Sequence, residues 1–396
     1  MMMTTAQPAG FVRLTRFAVI VGAVGVLLMA IGAAVDARQA AFSWLAAFAF
    51  WLSIALGALL LLMILHTINA SWFIVLRRIT EAAADPLIVL VVLFIPILLG
   101  LPALYPWAQP IGTLDPETAA AIQTKRAYLN VPFFVARAVV YFGVWIFVSQ
   151  KLRRWSVAMQ HADDATRILL ARKQRVLSAT LLPAVAFALT FAAFDWLMSL
   201  MPAWYSTIYG VYYFAGGILA ALAMLAIATW RLQPVTSDAI TTSHVHATGK
   251  LILTFLIFWA YTGYAQLLLI WIANIPAEAA WYDSRLNTGW SAVGAILLVG
   301  HFVLPLLALL SRDLKRRAGV LAIVSAWLLV MHYVDIYWLV LPVLYPSGPA
   351  PHWLDIAALA AVGGPVVAFA AWRLRNVPLI PVGDPRLERS IRFVTR

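Results

Sequence analysis

Two acidic residues followed by the same pattern are the most informative feature of this chain. The pattern Asp-x6-Pro-x2-Tyr occurs in two otherwise apolar stretches, at Asp195, Pro202 and Tyr205, and at Asp335, Pro342 and Tyr345. A charged group deep in a membrane helix is costly and usually faces a partner, a cavity or an ion path. A costly group that recurs at one spacing therefore indicates both an internal repeat and a function for the carboxylates.

Arg137 is the predicted partner of Asp195. Arg137 lies seven residues after Asn130, and Asp195 lies seven residues before Pro202. Each is therefore about 10 Å below the predicted outer end of its helix, and the two are predicted to meet. Two interpretations remain open. The pair either fixes the packing of two helices or tunes a carboxylate at the mouth of a proton or quinol path.

Asp335 needs a different partner, because the position that matches Arg137 in the repeat is Gly294. His332 is one turn deeper on the same helix face, and His301 is near the middle of the preceding helix. A row of Asp335, His332 and His301 has the chemistry of a proton path, since imidazole accepts and donates protons near neutral pH. Two alternatives stay open: histidines bonded to neighbouring groups, and a haem held between the two helices.

The seventh predicted helix adds Trp259, Tyr261, Tyr264, Gln266 and Trp271, and the start of the sixth adds Tyr209, Tyr212 and Tyr213. Hydroxyl and amide groups in a membrane span could line a path or bind a quinone carbonyl, and we take Tyr261 as the candidate. Aromatic residues at this spacing are also typical of packing and of interfacial belts. The sequence has no P-loop, no dinucleotide signature and no nucleophile motif, and we predict no catalytic residue and no metal site. The chemistry of the chain is then limited to protons and quinones.

The composition defines the class of protein. Of 396 residues, 64% are hydrophobic and 11% are charged, which is typical of a polytopic membrane protein. The absence of cysteine excludes disulfides, cysteine-ligated iron–sulfur clusters and thiolate zinc sites. The net charge of +12 arises from basic residues in the loops, where they orient the chain in the bilayer and do not indicate nucleic acid.

Ten apolar stretches predict an all-α polytopic membrane protein with ten transmembrane helices. They cover roughly residues 17–35, 41–66, 86–103, 131–149, 176–201, 207–230, 251–274, 287–311, 319–341 and 354–372. A cleaved signal peptide is the alternative interpretation of the first stretch, but its apolar run of about 19 residues favours a retained helix.

The distribution of Lys and Arg predicts that both termini are cytoplasmic, in the inner membrane of a bacterial cell. With that orientation the inner segments contain all but five of the 28 basic residues. The five exceptions are Arg38, Lys125, Arg126, Arg137 and Arg285.

The repeat predicts two related four-helix bundles, helices 2–5 and 6–9, with two flanking helices. The two aspartates lie four helices apart, so both copies run in the same direction and the repeat is parallel. The predicted units are 1–40 (flanking helix), 41–206 (first bundle), 207–350 (second bundle) and 351–396 (flanking helix and cytoplasmic tail).

Three segments outside the predicted helices have a character of their own. Residues 104–130 form a long outer loop that is either a docking surface or purely structural. Residues 151–175 suit an amphipathic helix on the cytoplasmic surface or, equally, a solvated basic loop. The tail after Arg375 contains three prolines and is predicted to be extended.

Several longer motifs carry a resemblance that extends over nearly the whole chain. They are Phe194–Leu200 with Trp204–Tyr212, Gly249–Leu251 leading to Phe258–Tyr261 and Gln266, Trp271–Pro276, His332–Trp338 and Pro381–Leu387. In these motifs the chain resembles the polysulfide-reductase-like (NrfD-like) membrane subunits of bacterial alternative complex III, a quinol:cytochrome c oxidoreductase.

The resemblance implies a subunit that is not catalytic alone but supports quinol oxidation and proton conduction within a complex. It implies ten helices in two four-helix bundles. It implies as partners a homologous membrane subunit, an iron–sulfur subunit, multihaem cytochromes c and small membrane anchors, together with the lipid bilayer. No covalently bound cofactor is implied, and quinone or quinol is the expected ligand.

Three alternatives remain beside this interpretation. A quinone-binding anchor of another NrfD-type respiratory oxidoreductase would share the two bundles. A haem b subunit would use the two histidines. A secondary transporter would use repeats and buried aspartates, but it typically has helices broken at matched places near the midplane. Here the matched prolines, Pro202 and Pro342, lie at the outer helix ends.

Overall fold

The computed structural model describes residues 8–236 and 239–395. Within these residues the chain is all α-helical without a β-strand, and ten helices are long and apolar enough to cross a bilayer. The predicted fold class, an all-α polytopic membrane protein, is confirmed. The spans are α1 (Pro8–Val35), α2 (Ala37–Thr67), α3 (Trp72–Leu99), α4 (Val131–Ala158), α5 (Asp164–Trp196), α6 (Tyr209–Leu232), α7 (Thr242–Ala273), α8 (Ser291–Leu310), α9 (Ala318–Val340) and α10 (Trp353–Arg375).

Shorter helices lie outside the spans and define two ends of the molecule. They are Leu101–Leu104, Pro116–Lys125, Pro276–Leu286, Arg312–Arg316 and Leu387–Ile391. We call the end that carries Pro116–Lys125 and Pro276–Leu286 the loop end. We call the opposite end, where α1 begins and α10 ends, the terminal end. The sequence predicts that the loop end is the outer one.

The third span begins at Trp72, earlier than the sequence predicts. Arg77, Arg78 and Glu81 look like loop residues in the sequence, yet all three are buried within α3. Glu81 is paired with Arg77 at 3.3 Å and with Arg78 at 3.2 Å. Pairing within the helix lowers the penalty that isolated charges would carry there.

A second charge cluster joins α3 to its neighbours. The carboxylate of Asp85 is 3.1 Å from Arg153 of α4 and 2.9 Å from Arg373 of α10. Gln150 of α4 accepts a hydrogen bond of 2.9 Å from Arg373. Basic residues that the sequence assigns to loop or tail therefore tie three helices together near the terminal end.

Residues 151–175 do not form a separate surface helix. α4 continues to Ala158, and α5 begins at Asp164 after a short turn. The side chain of Asp163 accepts a hydrogen bond from the backbone of Thr166 and caps α5. The basic and apolar residues of this segment therefore belong to two long helices, and both interpretations from the sequence, a surface helix and a loop, are wrong.

The C-terminal tail folds back onto the terminal end and is not simply extended as predicted. Asp384 pairs with Arg77 and, at 3.0 Å, with Arg386. The helix Leu387–Ile391 follows, and Ser390 donates a hydrogen bond of 2.9 Å to the carbonyl of Trp72. The tail thus covers the buried charges at the start of α3.

The loop from residue 104 to residue 130 packs against the loop end of α5. Tyr105 donates a hydrogen bond of 2.9 Å to the carbonyl of Trp196, and Trp107 donates one of 3.1 Å to Ser199. The side chain of Lys125 donates at 2.6 Å to the carbonyl of Pro202. These contacts give the loop a structural role, whether or not it also binds a partner.

α2 and α6 lie in the centre of the molecule. In the most apolar 18-residue stretch of each helix, 89% of the residues are buried in α2 and 67% in α6. They cross at Gly57 and Gly217, where a Cβ added to Gly57 would lie 2.1 Å from the carbonyl oxygen of Gly217. Glycine allows this close backbone approach, which is a common device of helix pairs in membranes. The predicted relation between helices 2–5 and 6–9 stays a prediction.

α1 lies at the periphery and packs mainly on α10. In the most apolar 18-residue stretch of α1, 28% of the residues are buried, compared with 61% in α10. Gly25 faces the backbone of Ala361 so closely that a Cβ would lie 2.4 Å from the Ala361 nitrogen. α10 also packs on α2. The other face of α1 is left for lipid or for another subunit.

Candidate functional site

Arg137 of α4 and Asp195 of α5 form a buried ion pair. Arg137 donates from Nε at 2.8 Å and from Nη2 at 3.0 Å to the two carboxylate oxygens of Asp195. Tyr141 donates a third hydrogen bond, of 2.9 Å, to the same carboxylate. The ring of Tyr128 lies 3.8 Å from the guanidinium carbon. The predicted meeting of Arg137 and Asp195 is confirmed.

This geometry favours a structural role for the pair. Asp195 is fully buried, and both of its oxygens accept hydrogen bonds. A bidentate arginine–carboxylate contact is among the strongest in proteins, and removing one partner leaves a buried charge. Of the two interpretations drawn from the sequence, an ion pair that fixes α4 against α5 fits the contacts better.

Asp335 of α9 has a different environment. It is 2% exposed and lies near the loop end, as Asp195 does. Tyr212 of α6 donates to it at 2.5 Å and the indole of Trp259 of α7 donates at 3.1 Å. Among the described residues Asp335 forms no ion pair. A buried carboxyl group without a cation is costly when ionised, which marks it as a functional candidate.

The two histidines do not continue from Asp335 as a direct hydrogen-bonded row. His332 bonds through Nε2 to the hydroxyl of Ser53 on α2, at 2.8 Å. The ring centroids of His301 and His332 are 6.5 Å apart. In the described part of the chain, Nδ1 of His332 and both nitrogens of His301 have no hydrogen-bond partner. Such buried nitrogens are groups that internal water usually satisfies.

Trp259 connects Asp335 to His301, a role that sequence reasoning missed. Its indole donates to Asp335, and its ring centroid lies 4.1 Å from that of His301. The sequence places Trp259 among the polar and aromatic residues of helix 7 but gives no reason to single it out. The i,i+5 spacing of Trp259 and Tyr264 does not show which of them faces inward.

His301 lies in a π-helical segment of α8, Leu297–Val303. π-helical turns are rare and are frequent at functional sites. Trp327 of α9 donates a hydrogen bond of 2.7 Å to the carbonyl of Gly300 within this segment. The extra residue in the turn sets the direction in which the His301 side chain points.

Tyr261 is not part of the site. Its side chain is 62% exposed on the outer surface of α7, while Trp259, two residues earlier, faces the interior. The structure brings Asp335, His332 and His301 close together on α8 and α9, places Arg137 and Asp195 at a separate position between α4 and α5, and leaves Tyr261 exposed on α7.

A cavity of about 370 Å³ lies beside Asp335. Both side chains that bond Asp335, Tyr212 and Trp259, line it. Gly294 lines it as well, so the cavity lies where the repeat would place an arginine. The other lining residues are mainly aromatic or aliphatic, with a few polar groups: Tyr209, Ala260, Gly263, Tyr264, Gln266, Leu267, Trp281, Tyr282, Leu286, Ser291, Ala295, Leu297, Leu298, Phe302, Trp338 and Leu339.

The cavity reaches the loop end beneath the helix Pro276–Leu286. Burial lowers the pKa of Arg285 in this helix to about 9, so the guanidinium remains charged at neutral pH. Arg285 donates to the carbonyls of Trp338 at 3.2 Å and Leu339 at 3.0 Å. Burial also raises the pKa of Tyr282, so its hydroxyl is protonated and able to donate a hydrogen bond. The helix Pro276–Leu286 therefore covers the apolar cavity at the loop end with polar side chains, and the hydrogen bonds of Arg285 hold it against α9.

Comparison with protein-family models and comparison with curated proteins both find no match to this chain. The function must therefore be argued from the site itself.

The residues do not fit a haem. His332 is bonded to Ser53, and the ring of Trp259 packs on His301. A Cβ added to Gly216 would lie 3.0 Å from the His332 ring, so this side of the imidazole is occupied too. Among the described residues no three His, Asp or Glu side chains come together as a metal site.

The cavity beside Asp335 has the size and the mainly apolar lining, with a few polar groups, of a small-molecule site.

Proposed function

We propose that this chain is an integral membrane subunit of a respiratory quinol:cytochrome c oxidoreductase of the alternative complex III type. It supports quinol oxidation and conducts protons, and it needs other subunits for electron transfer because the sequence contains no cysteine for an iron–sulfur cluster. The proposal places it in the inner membrane of a bacterium, with the loop end outside.

The observation that carries the proposal is the position of Asp335 between the cavity and the histidines. Its two hydrogen-bond donors form part of the cavity wall, and no cation fixes its charge within the described residues. The corresponding carboxylate of the first bundle is held by Arg137. Of the two aspartates, Asp335 is the one suited to gain and lose a proton.

A quinol headgroup in this cavity would place a hydroxyl near Tyr212. As the quinol is oxidised, Tyr212 takes the quinol proton while its own proton passes to Asp335. The two electrons leave to the iron–sulfur subunit of the complex. The Tyr212 hydroxyl returns to its starting state, Asp335 carries one proton, and the second quinol proton leaves to water at the loop end, which the cavity reaches.

A proton that moves outward through the protein reaches Asp335 from deeper in the membrane, and this passage needs water or a side-chain rotation. His332 is one turn away on α9, and no direct hydrogen bond joins it to Asp335. The unpartnered ring nitrogens of His332 and His301 are the groups with which such water would bond. Ser53, which is hydrogen-bonded to His332, connects this path with α2.

The positions of the helix breaks count against a secondary transporter. The interrupted spans are α3, with a turn at Asp85–Pro86, and α8, with its π-helical segment. In the predicted repeat α3 corresponds to α7 and α4 to α8, so these breaks do not occupy matched positions. Transporters built on repeats place such breaks in corresponding helices.

The test is the membrane potential formed by the purified complex in liposomes during quinol oxidation. We expect Asp335→Asn and His332→Phe to lower the potential formed per electron transferred. Asp283→Asn, an exposed carboxylate near the same end, is the matched control and should behave as the wild type. Unchanged potential and unchanged turnover in both site variants would refute the proposal.

A further inference from the structure

A second cavity, of about 270 Å³, lies in the terminal half of the molecule, away from Asp335. It runs between α1, α2, α3, α6 and α10 and reaches the surface at Leu14 and Arg231, both of which are exposed. We call it the terminal groove. It is lined by Phe11, Leu14, Trp51, Ile54, Ala55, Ala58, Ile79, Thr80, Ala82, Ala83, Pro86, Ala221, Met224, Leu225, Ala228, Arg231, Leu232, Val366, Val367, Ala370, Ala371 and Leu374.

The length of the terminal groove matches half a bilayer. On α6 it extends from Ala221 to Arg231, which is about 15 Å along the helix axis. On α10 it extends from Val366 to Leu374, about 12 Å. One leaflet of a hydrocarbon core is about 15 Å thick. The groove therefore spans the depth of one acyl chain, from the terminal end to near the midplane.

Of the described polar side chains that line the terminal groove, Arg231 alone lies at its mouth. The described polar side chains that line it are Trp51, Thr80 and Arg231. Trp51 donates to the carbonyl of Leu359 at 3.2 Å, and Thr80 donates to that of Leu76 at 3.3 Å. Among the described residues Arg231 has no ion-pair partner.

The position of Arg231 suits the headgroup region of the bilayer. Its guanidinium lies 4.7 Å from the ring centre of Trp230, which is 40% exposed. Tryptophan and arginine at a helix end are typical of the membrane interface. A guanidinium there is well suited to bind a phosphate group.

We propose that the terminal groove is a phospholipid-binding site. One acyl chain occupies the apolar groove, and the phosphate binds Arg231. The lipid fills the space between the peripheral helix α1 and the central helices α2 and α6, so it belongs to the packing of the protein. This site is separate from the cavity beside Asp335, and the inference does not depend on the proposed function.

A phospholipid fits this groove better than a quinone does. A quinone ring needs hydrogen-bond donors at its two carbonyl oxygens. In the groove, Trp51 and Thr80 already donate to backbone carbonyls, and among the described residues no tyrosine, histidine or amide side chain lines it. The cavity beside Asp335 has Tyr212, Tyr282 and Gln266 for that purpose. The two cavities thus differ in the chemistry of the ligand that they can hold.

The experiment is photolabelling of the full-length protein in phosphatidylcholine vesicles that contain a phosphatidylglycerol with a diazirine in its acyl chain. Labelled peptides are mapped by mass spectrometry. We expect labelling of lining residues on α6 and α10, such as Met224 and Val367, above that of the lipid-facing residue Phe187. A diacylglycerol with the same diazirine, which lacks the phosphate, should label these residues weakly.

Two variants and their controls make the test specific. Arg231→Gln should lower labelling of the groove about fivefold, since a basic residue near a lipid headgroup contributes on this scale. Arg172→Gln, an exposed arginine near the same end, should have no effect. Ala228→Phe should block the groove and abolish the labelling, whereas Ala179→Phe, on an exposed face of α5, should not.

Three results would overturn the proposal. One is labelling of the groove no greater than that of Phe187. The second is equal labelling by the phospholipid and the diacylglycerol, since the phosphate would then play no part. The third is displacement of the phospholipid by a short-chain quinone, which would assign the groove to a quinone.

Discussion

The hydroxyl group of Tyr212 donates a hydrogen bond of 2.5 Å to Asp335, whereas the next residue, Tyr213, donates one of 2.6 Å to the carbonyl of Ala49. Adjacent residues of one type therefore provide a matched pair. Tyr212→Phe removes the hydroxyl that we propose transfers the proton, and we expect quinol oxidation by the complex to fall about a hundredfold or more. The measurement is steady-state turnover with a soluble quinol and cytochrome c.

Tyr213→Phe is the control for this prediction. It removes a hydrogen bond of similar length between α6 and α2 without touching Asp335, so turnover should remain close to that of the wild type. Equal turnover in the two variants would show that the Tyr212 hydroxyl serves packing alone.

Arg137→Leu should destabilise the protein by about 3–5 kcal/mol, because it leaves the buried Asp195 without its cation. Arg137→Lys should lose less, since an ammonium keeps the charge but not the bidentate contact. The measurement is thermal unfolding of the detergent-solubilised protein.

The double variant Arg137→Leu/Asp195→Leu separates packing from function. If the pair only joins α4 to α5, the double variant should recover much of the stability that the single variant loses and keep the activity of the complex. Recovered stability without activity would instead assign a functional role to the pair.

The docking of the C-terminal tail should depend on pH through Asp384. Burial by itself would raise the pKa of Asp384, but the charge of Arg77 and the bonds with Arg386 outweigh it, and the pKa lies below its ordinary value. A carboxylate with a lowered folded-state pKa stabilises the fold above its unfolded-state value of about 3.9. That contribution is lost only as the pH falls through the lower, folded-state pKa.

We therefore expect residues 381–395 to stay protected from hydrogen exchange down to about pH 4, after correction for the intrinsic rate. Asp384→Asn should expose the same residues at pH 7, because Arg77 loses its partner outside α3. Glu388→Gln, which removes an exposed ion pair with Arg392, should leave the protection unchanged. Full protection in Asp384→Asn would rule out the ion pair as the cause of docking.

Trp327→Phe should alter the site through the π-helical segment of α8. The substitution leaves the carbonyl of Gly300 without its donor in a membrane span, which costs about 1–3 kcal/mol and favours a regular helix. A regular helix would rotate His301 away from Trp259. We expect a lower unfolding temperature together with a lower proton yield per electron.

Trp353→Phe is the control, since Trp353 is exposed to a similar extent, 47% against 44% for Trp327. It should change neither quantity. A Trp327 variant with lower stability but normal proton yield would show that the π-helical segment has no part in conduction.

The sequence predicts the helices and one of the two charged sites well, because it gives the depth of a residue in the membrane from its distance to the helix end. Rise per residue places Arg137 and Asp195 at one level from their helix ends, and opposite charges at one level in a membrane attract each other. The start of α3 was misplaced by the same reasoning, because Arg77 and Arg78 read as loop residues until their partners are known.

The partners of Asp335 could not be predicted in the same way. Tyr212 and Trp259 lie on helices whose rotation about their own axes is set by packing, and depth carries no information about rotation. The bond between His332 and Ser53 joins helices far apart in sequence, and the π-helical segment changes the direction of His301. Each of these depends on contacts between helices.

The contact between Gly57 and Gly217 limits how this protein can move. The two backbones touch where no methyl group could be inserted, and the bonds from Tyr213 to Ala49 and from His332 to Ser53 cross the same boundary. Rocking of one half of the molecule against the other, as in alternating access, would have to break all three. Under the proposed function, protons would therefore cross by rearrangement of water and of single side chains, without movement of the two halves against each other.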